Sequence, residues 1–111
     1  MRDLHQPAAV LYAAGMKLLA LERSVPGVAD EAFTAALLER EARVLWDLQQ
    51  RGLVREAWFR ADVHEAVLVL ECASADEARA ALSKLPLVEQ RLIDFELLPL
   101  RPYDGFARLF A

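Results

Sequence analysis

A chain of 111 residues is one domain with a single core, too short for two. Hydrophobic residues make up 56 % and charged residues 27 %, a globular balance that excludes a disordered chain. The net charge of −4, with no Lys/Arg cluster, argues against a nucleic-acid partner, and no apolar run is long enough to cross a bilayer.

The N-terminus lacks the basic flank and continuous apolar stretch of a signal peptide, and the lone Cys72 has no partner for an internal disulfide. Both point to a cytoplasmic protein in which Cys72 is a small buried hydrophobe. Residues 1–15 show no clear period; Leu4, Val10, Leu11 and Tyr12 mark them as an arm that docks rather than a free tail. Residues 17–22 read as a first strand, ended by the turn signal Val25-Pro26-Gly27. Asp30 is placed as N-cap of a long helix running to about Gln50, with Gly52 as its left-handed stop. Residues 55–60 read as a second strand, joined through the polar turn 62–65 as a hairpin to a third strand over 65–72. Ser74-x-Asp76-Glu77 is a capping box that opens a second helix over 75–85, ended by Pro86. Residues 93–98 form the fourth strand, closed by Pro99 and Pro102. The boundaries are thus an arm over 1–15, a domain over 16–102, and a tail over 103–111. Phe106, Leu109 and Phe110 make that tail apolar enough to dock on a partner subunit.

The order β-α-β-β-α-β is the ferredoxin-like α+β arrangement, a four-stranded antiparallel sheet with both helices on one face. The third strand is apolar on both sides, Val67 and Val69 on one and Leu68 and Leu70 on the other. Its uncovered side calls for a second sheet, most simply from another copy of the chain in a two-fold homodimer.

Familiar catalytic signatures are absent: no Gly-rich phosphate loop, no Gly-x-Ser-x-Gly elbow, no HExxH and no Cys pair. No set of convergent ligands suggests a metal, and His5 and His64 fall on the arm and on a turn, where solvation is their ordinary state. The informative residue is Glu41. On a helix, Phe33, Leu37, Val44, Leu45 and Leu48 share one apolar face, and Glu41 falls in its middle. Glu39, Arg40, Arg43 and Asp47 lie on the other side, where surface charges belong. A carboxylate among apolar neighbours is costly unless it is paired, protonated or useful. Desolvation raises its pKa toward neutrality, which suits an acid/base that takes and returns a proton. A donor must then steady the enolate, and Tyr103, Trp58 and Arg60 are the candidates. The competing role for Glu41 is a structural ion pair with Arg60, Arg55 or a partner's Arg. Trp46 lies on the back edge of the helix, and a strand tryptophan such as Trp58 is more often core than ligand platform. Asp94 and Glu96 alternate with Ile93, Phe95 and Leu97 as the polar side of a strand.

Arg40-Glu41, Leu48-Gln49, Gly52, Trp58, Ser74-x-Asp76-Glu77, Leu85-Pro86-Leu87 and Pro99-Leu100 stand in the order in which they occur in muconolactone Δ-isomerases, and the chain resembles that family over most of its length. The resemblance implies a dimeric α/β barrel and a cofactor-free enzyme that moves a double bond within a lactone by shifting a proton. It implies that Glu41 matches the family's helix carboxylate and Trp58 its strand tryptophan. Three positions depart: Ala42 stands where members tend to have Lys, and Glu56 and Tyr103 where they tend to have His. The expectation is therefore a cofactor-independent, isomerase-like enzyme acting on a small lactone, an aromatic-degradation product or a polyketide-like carbonyl compound. Glu41 is its acid/base; Trp58, Arg60, Tyr103, Leu37 and Leu45 bind the substrate. Two alternatives share the fold: a catalytically silent binding or assembly module, and a cofactor-free monooxygenase. An open cavity lined by Glu41 separates an enzyme from a silent module, in which side chains fill that space.

Overall fold

The computed structural model describes residues 15–110; apart from Gly15, the expected N-terminal arm, with His5, lies outside them. The described residues form a β-α-β-β-α-β domain, with strands β1 (Met16–Ser24), β2 (Val54–Phe59), β3 (Ala66–Cys72) and β4 (Ile93–Leu100). Helix α1 (Ala35–Gln50) joins β1 to β2, while α2 (Ala75–Leu82) and the short α3 (Pro86–Glu89) join β3 to β4. The sheet order is β2-β3-β1-β4 and each neighbouring pair is antiparallel. This is the ferredoxin-like fold expected from the element order.

Alternation along the strands divides the sheet into two faces. Leu18 and Ala20 of β1, Leu68 and Leu70 of β3, and Ile93 and Phe95 of β4 are buried, and with Leu37 and Leu48 of α1, Leu82 and Leu85 they make the core. Leu19, Leu21, Val67, Val69 and Leu98 have the opposite parity, and none of them is buried. The two-sided β3 thus keeps one face under the helices and leaves the other without cover from the described residues.

Local chemistry sets the boundaries. Thr34, not Asp30, caps α1: its Oγ1 accepts from the Leu37 N–H at 3.2 Å. Asp30 instead opens a single 3-10 turn (Asp30–Ala32), and Phe33, with ψ 73°, breaks the path before α1 starts. Gly52 ends α1 as expected. It takes φ +83°, its N–H donates to the Gln49 carbonyl, and the Leu53 N–H reaches back to the Leu48 carbonyl. That pair of bonds is the Schellman stop, for which glycine has no steric penalty. The capping box at α2 also forms: the Glu77 N–H donates to Ser74 Oγ, and the Glu77 carboxylate accepts from the Ala73 N–H. The second helix ends at Leu82 rather than at Leu85. Pro86 closes nothing; it stands at the first position of α3, where its missing N–H costs nothing. The fourth strand runs on through Pro99 to Leu100 on the sheet edge, where proline is tolerated.

Candidate active site

Between α1 and the helix-covered face of the sheet lies an open cavity of about 650 Å³. Its floor is Leu68 of β3 and Phe95 of β4, its roof Leu38, Ala42 and Leu45 of α1, and its far wall Leu85, Leu87 and Leu92 around α3. Into this apolar space project two glutamates, Glu41 from α1 and Glu22 from β1.

Glu41 is half-buried on the face carrying Leu37, Leu45 and Leu48. Its Oε1 accepts a hydrogen bond from the Leu87 N–H at 2.9 Å. Pro86 has no N–H, so Leu87 presents the first unsatisfied donor of α3, and Glu41 supplies the cap that Leu85 does not. Desolvation nonetheless dominates and pushes its pKa up; the Leu87 bond opposes this and the Glu22 charge adds to it. None of the described arginines pairs with it. Arg55 is held by Glu71, and Arg60 by Asp62 and Glu65.

Glu22 follows Leu18 and Ala20 on the core parity of β1, a charge where the pattern calls for an apolar side chain. It is half-buried, its Oε1 accepts from the Ala66 N–H at 2.9 Å, and burial pushes its pKa up, with Glu65 adding to the rise. Its misplaced parity is the same signal that marks Glu41, so the strand pattern was sufficient to find it. His64 is the second residue that sequence reasoning left aside. It lines the cavity from the hairpin, with its ring stacked on Phe59 at 4.1 Å. No sequence pattern announces this, since a turn histidine is ordinarily solvated.

Of the expected substrate-binding residues, Leu45 lines the cavity and Leu37 lies in the core just behind it. The other three stand elsewhere in the described chain. Trp58 has the parity of Val67 and projects from the uncovered face, 62 % exposed, its Nε1 donating to Glu56. Arg60 is engaged in the hairpin by Asp62 and Glu65. Tyr103 sits on the tail, edge-on to Phe106. Within one subunit the donors that line the cavity are therefore His64 and the Ser24 hydroxyl, which donates to Glu65. Cys72 is half-buried at the end of β3, its thiol donating to the Ser74 carbonyl, and it does not line the cavity. Burial pushes this thiol's pKa up, which makes it a poor nucleophile.

The profile of the muconolactone delta-isomerase family matches residues 18–105, from the first core residue of β1 to the start of the tail. The chain belongs to this family. A search of curated proteins gave no match. The matched span takes in β1 from Leu18 onward, the other three strands and the helices between them, and both cavity glutamates fall within it.

Proposed function

We propose that the protein is a cofactor-independent isomerase that shifts a proton, and with it a double bond, in a small lactone or related carbonyl compound. The observation that carries this reading is the open apolar cavity with a desolvated carboxylate, Glu41, on its roof. The Glu41 carboxylate takes a proton from the carbon next to the substrate carbonyl, leaving an enolate whose charge spreads along the conjugated system. The carboxylic acid so formed returns the proton to the far carbon, the double bond moves, and the enzyme is restored. A raised pKa suits both halves of the cycle, because the group must be base and then acid near neutrality. The steadying of the enolate oxygen falls to His64, which lines the cavity, rather than to Ser24, whose hydroxyl is engaged by Glu65, or to Trp58, Arg60 or Tyr103 of the same subunit.

A second reading has one specific observation in its favour. Glu41 already has an architectural task, the capping of α3 through Leu87, so its burial is accounted for in a catalytically silent binding module. Glu41→Gln separates the two readings, because the amide oxygen still accepts from Leu87 but the group no longer takes a proton. The assay is the ultraviolet change on conjugation of a β,γ-unsaturated γ-lactone, together with deuterium incorporation from D2O. Wild type is expected to turn over and Glu41→Gln to lose at least 100-fold in rate, in line with the loss of a general base. Undiminished turnover by Glu41→Gln would end the role of Glu41 as the acid/base, and no turnover by wild type would end the isomerase reading.

The homodimer follows from the uncovered face. Leu19, Leu21, Val67, Val69 and Leu98, with Trp58 at one side, make an apolar surface that a second sheet of the same kind matches by two-fold symmetry. In that arrangement the exposed tail residues Phe106, Leu109 and Phe110 dock on the partner subunit.

A further inference from the structure

Proton transfer through Glu41 leaves the other cavity glutamate without a task. Glu22 occupies a core-parity position on β1, after Leu18 and Ala20, and reaches the cavity from the sheet while Glu41 reaches it from α1. A carboxyl at such a position costs stability that an apolar side chain would not. Its Oε1 accepts from the Ala66 N–H at 2.9 Å, whereas among the described residues no hydrogen bond is made to Oε2. A proton on this carboxyl therefore resides on Oε2, the oxygen left for a ligand. The surroundings favour that proton. Burial weighs most, and Glu65 on the hairpin adds to it, while the Ala66 N–H and His64 act the other way. Glu41 faces the same cavity from α1 and senses the Glu22 charge, and Asp30 is the remaining carboxyl of the described lining. Two carboxyls that sense each other in one partly dry space do not ionise together, and over a range of pH they hold one proton between them. A carbonyl oxygen that meets Oε2 draws this proton to Glu22 and leaves Glu41 ionised.

We propose that Glu22 is a second catalytic residue: as a neutral carboxylic acid it donates its Oε2–H to the carbonyl oxygen of the substrate, while ionised Glu41 takes the proton from the neighbouring carbon. The role rests on the isomerase reading and completes its acid–base pair. The Glu22 proton stays on Glu22. The proton that leaves the substrate goes to Glu41 and returns to the far carbon, so the negative charge passes from Glu41 to the enolate and back. That charge gathers on the enolate oxygen, where a donor is worth more in the transition state than in the ground state. His64 stands exposed on the hairpin, where water competes for its hydrogen bond, whereas Glu22 donates from a half-buried position.

The test follows double-bond migration in a β,γ-unsaturated γ-lactone from pH 5 to pH 9, with kcat and KM read separately for wild type, Glu22→Leu and Glu22→Gln. Glu22→Leu removes the donor and is expected to lower kcat by about 100-fold or more with little change in KM. Glu22→Gln keeps an oxygen to accept from Ala66, and its amide N–H donates in place of the acid, so kcat is expected to stay within about tenfold of wild type. The rate of wild type falls on the alkaline side as Glu22 ionises. That limb is expected to vanish in Glu22→Gln, because an amide does not ionise. Undiminished kcat in Glu22→Leu, a loss in Glu22→Gln as deep as in Glu22→Leu, or an alkaline limb that persists in Glu22→Gln would each overturn the proposal. Persistence would assign the limb to His64 or another group. If Glu22→Leu does not fold, the pH profile of Glu22→Gln decides alone. Any of these failures in the presence of wild-type turnover removes only the role of Glu22; absence of wild-type turnover removes the isomerase reading and this role with it.

Discussion

Glu41 carries two loads that substitution can separate. The hydrogen bond from Leu87 satisfies a donor at the start of α3, and the carboxylate's protonation supports the proposed chemistry. Glu41→Gln keeps the first and loses the second, so its melting temperature should lie close to that of wild type, within about 0.5 kcal/mol of stability. Glu41→Leu loses both and leaves the Leu87 N–H without a protein acceptor, which should cost about 1 kcal/mol by chemical denaturation. An equal drop in both variants would mean that the charge itself, through an ion pair, holds the fold. The pH dependence has a definite sign. Glu22 and Glu41 both have pKa values raised by burial, so the folded protein keeps their protons to higher pH than the unfolded chain does. Their contribution to stability is complete below the ordinary glutamate value of about 4.3 and is lost as pH rises through the raised values. Melts of wild type and the double variant Glu22→Gln/Glu41→Gln from pH 5 to pH 8 should show the variant gaining on wild type as pH increases. A constant gap would show that the two groups titrate alike in the folded and unfolded states.

Among the elements, the short α3 and its exit decide the shape of the cavity wall. Its stop repeats the Schellman pattern seen after α1, with the Arg91 N–H donating to the Val88 carbonyl and the Leu92 N–H to the Leu87 carbonyl. Here the left-handed position is occupied by Arg91, at φ 61°, rather than by glycine. The bend turns Leu92 inward to line the cavity and delivers Ile93 to the start of β4. An L-residue in this conformation carries a strain of about 1 kcal/mol. Arg91 is exposed, so Arg91→Gly should relieve the strain and stabilise the protein by up to about 1 kcal/mol, less the entropy that glycine adds to the unfolded chain. Urea denaturation measures it, and a loss of stability would mean that the Arg91 side chain makes a contribution larger than the strain.

On the scale of the whole molecule the two faces of the sheet have different fates. One closes over the core and the cavity; the other shows Leu19, Leu21, Val67 and Val69 half-buried and Trp58 and Leu98 exposed. A continuous apolar surface of this kind on a small domain invites a partner, and a second copy presents the same surface in the required symmetry. Sedimentation at micromolar concentration should find a dimer. Val69→Lys, at the centre of the face where β3 pairs with β1, should shift it to monomer, with the cavity elements still folded. A wild-type monomer under these conditions would remove the dimer and, with it, the docking of Phe106, Leu109 and Phe110 on a neighbour.

What the sequence determined by itself is the part that local physics and periodicity write. The two-sided β3, the capping box at Ser74, the glycine stop at Gly52 and the element order lead to the ferredoxin-like fold, because each depends on residues close together in the chain. The misplaced charge at Glu41 was legible for the same reason, and Glu22 obeys the same rule at period two. Periodicity went astray where two local signals competed: Asp30 and Thr34 are both sound caps, and the turn around Phe33 gave the helix to the second. Only the tertiary structure decided what meets what. It sent Trp58 to the uncovered face through strand pairing with Val67, tied Arg60 to its own hairpin, and swung His64 to the cavity across Phe59. It also joined Glu41 to Leu87, forty-six residues away. Such meetings depend on register and on chain reversals between distant segments, which no local window of the sequence contains.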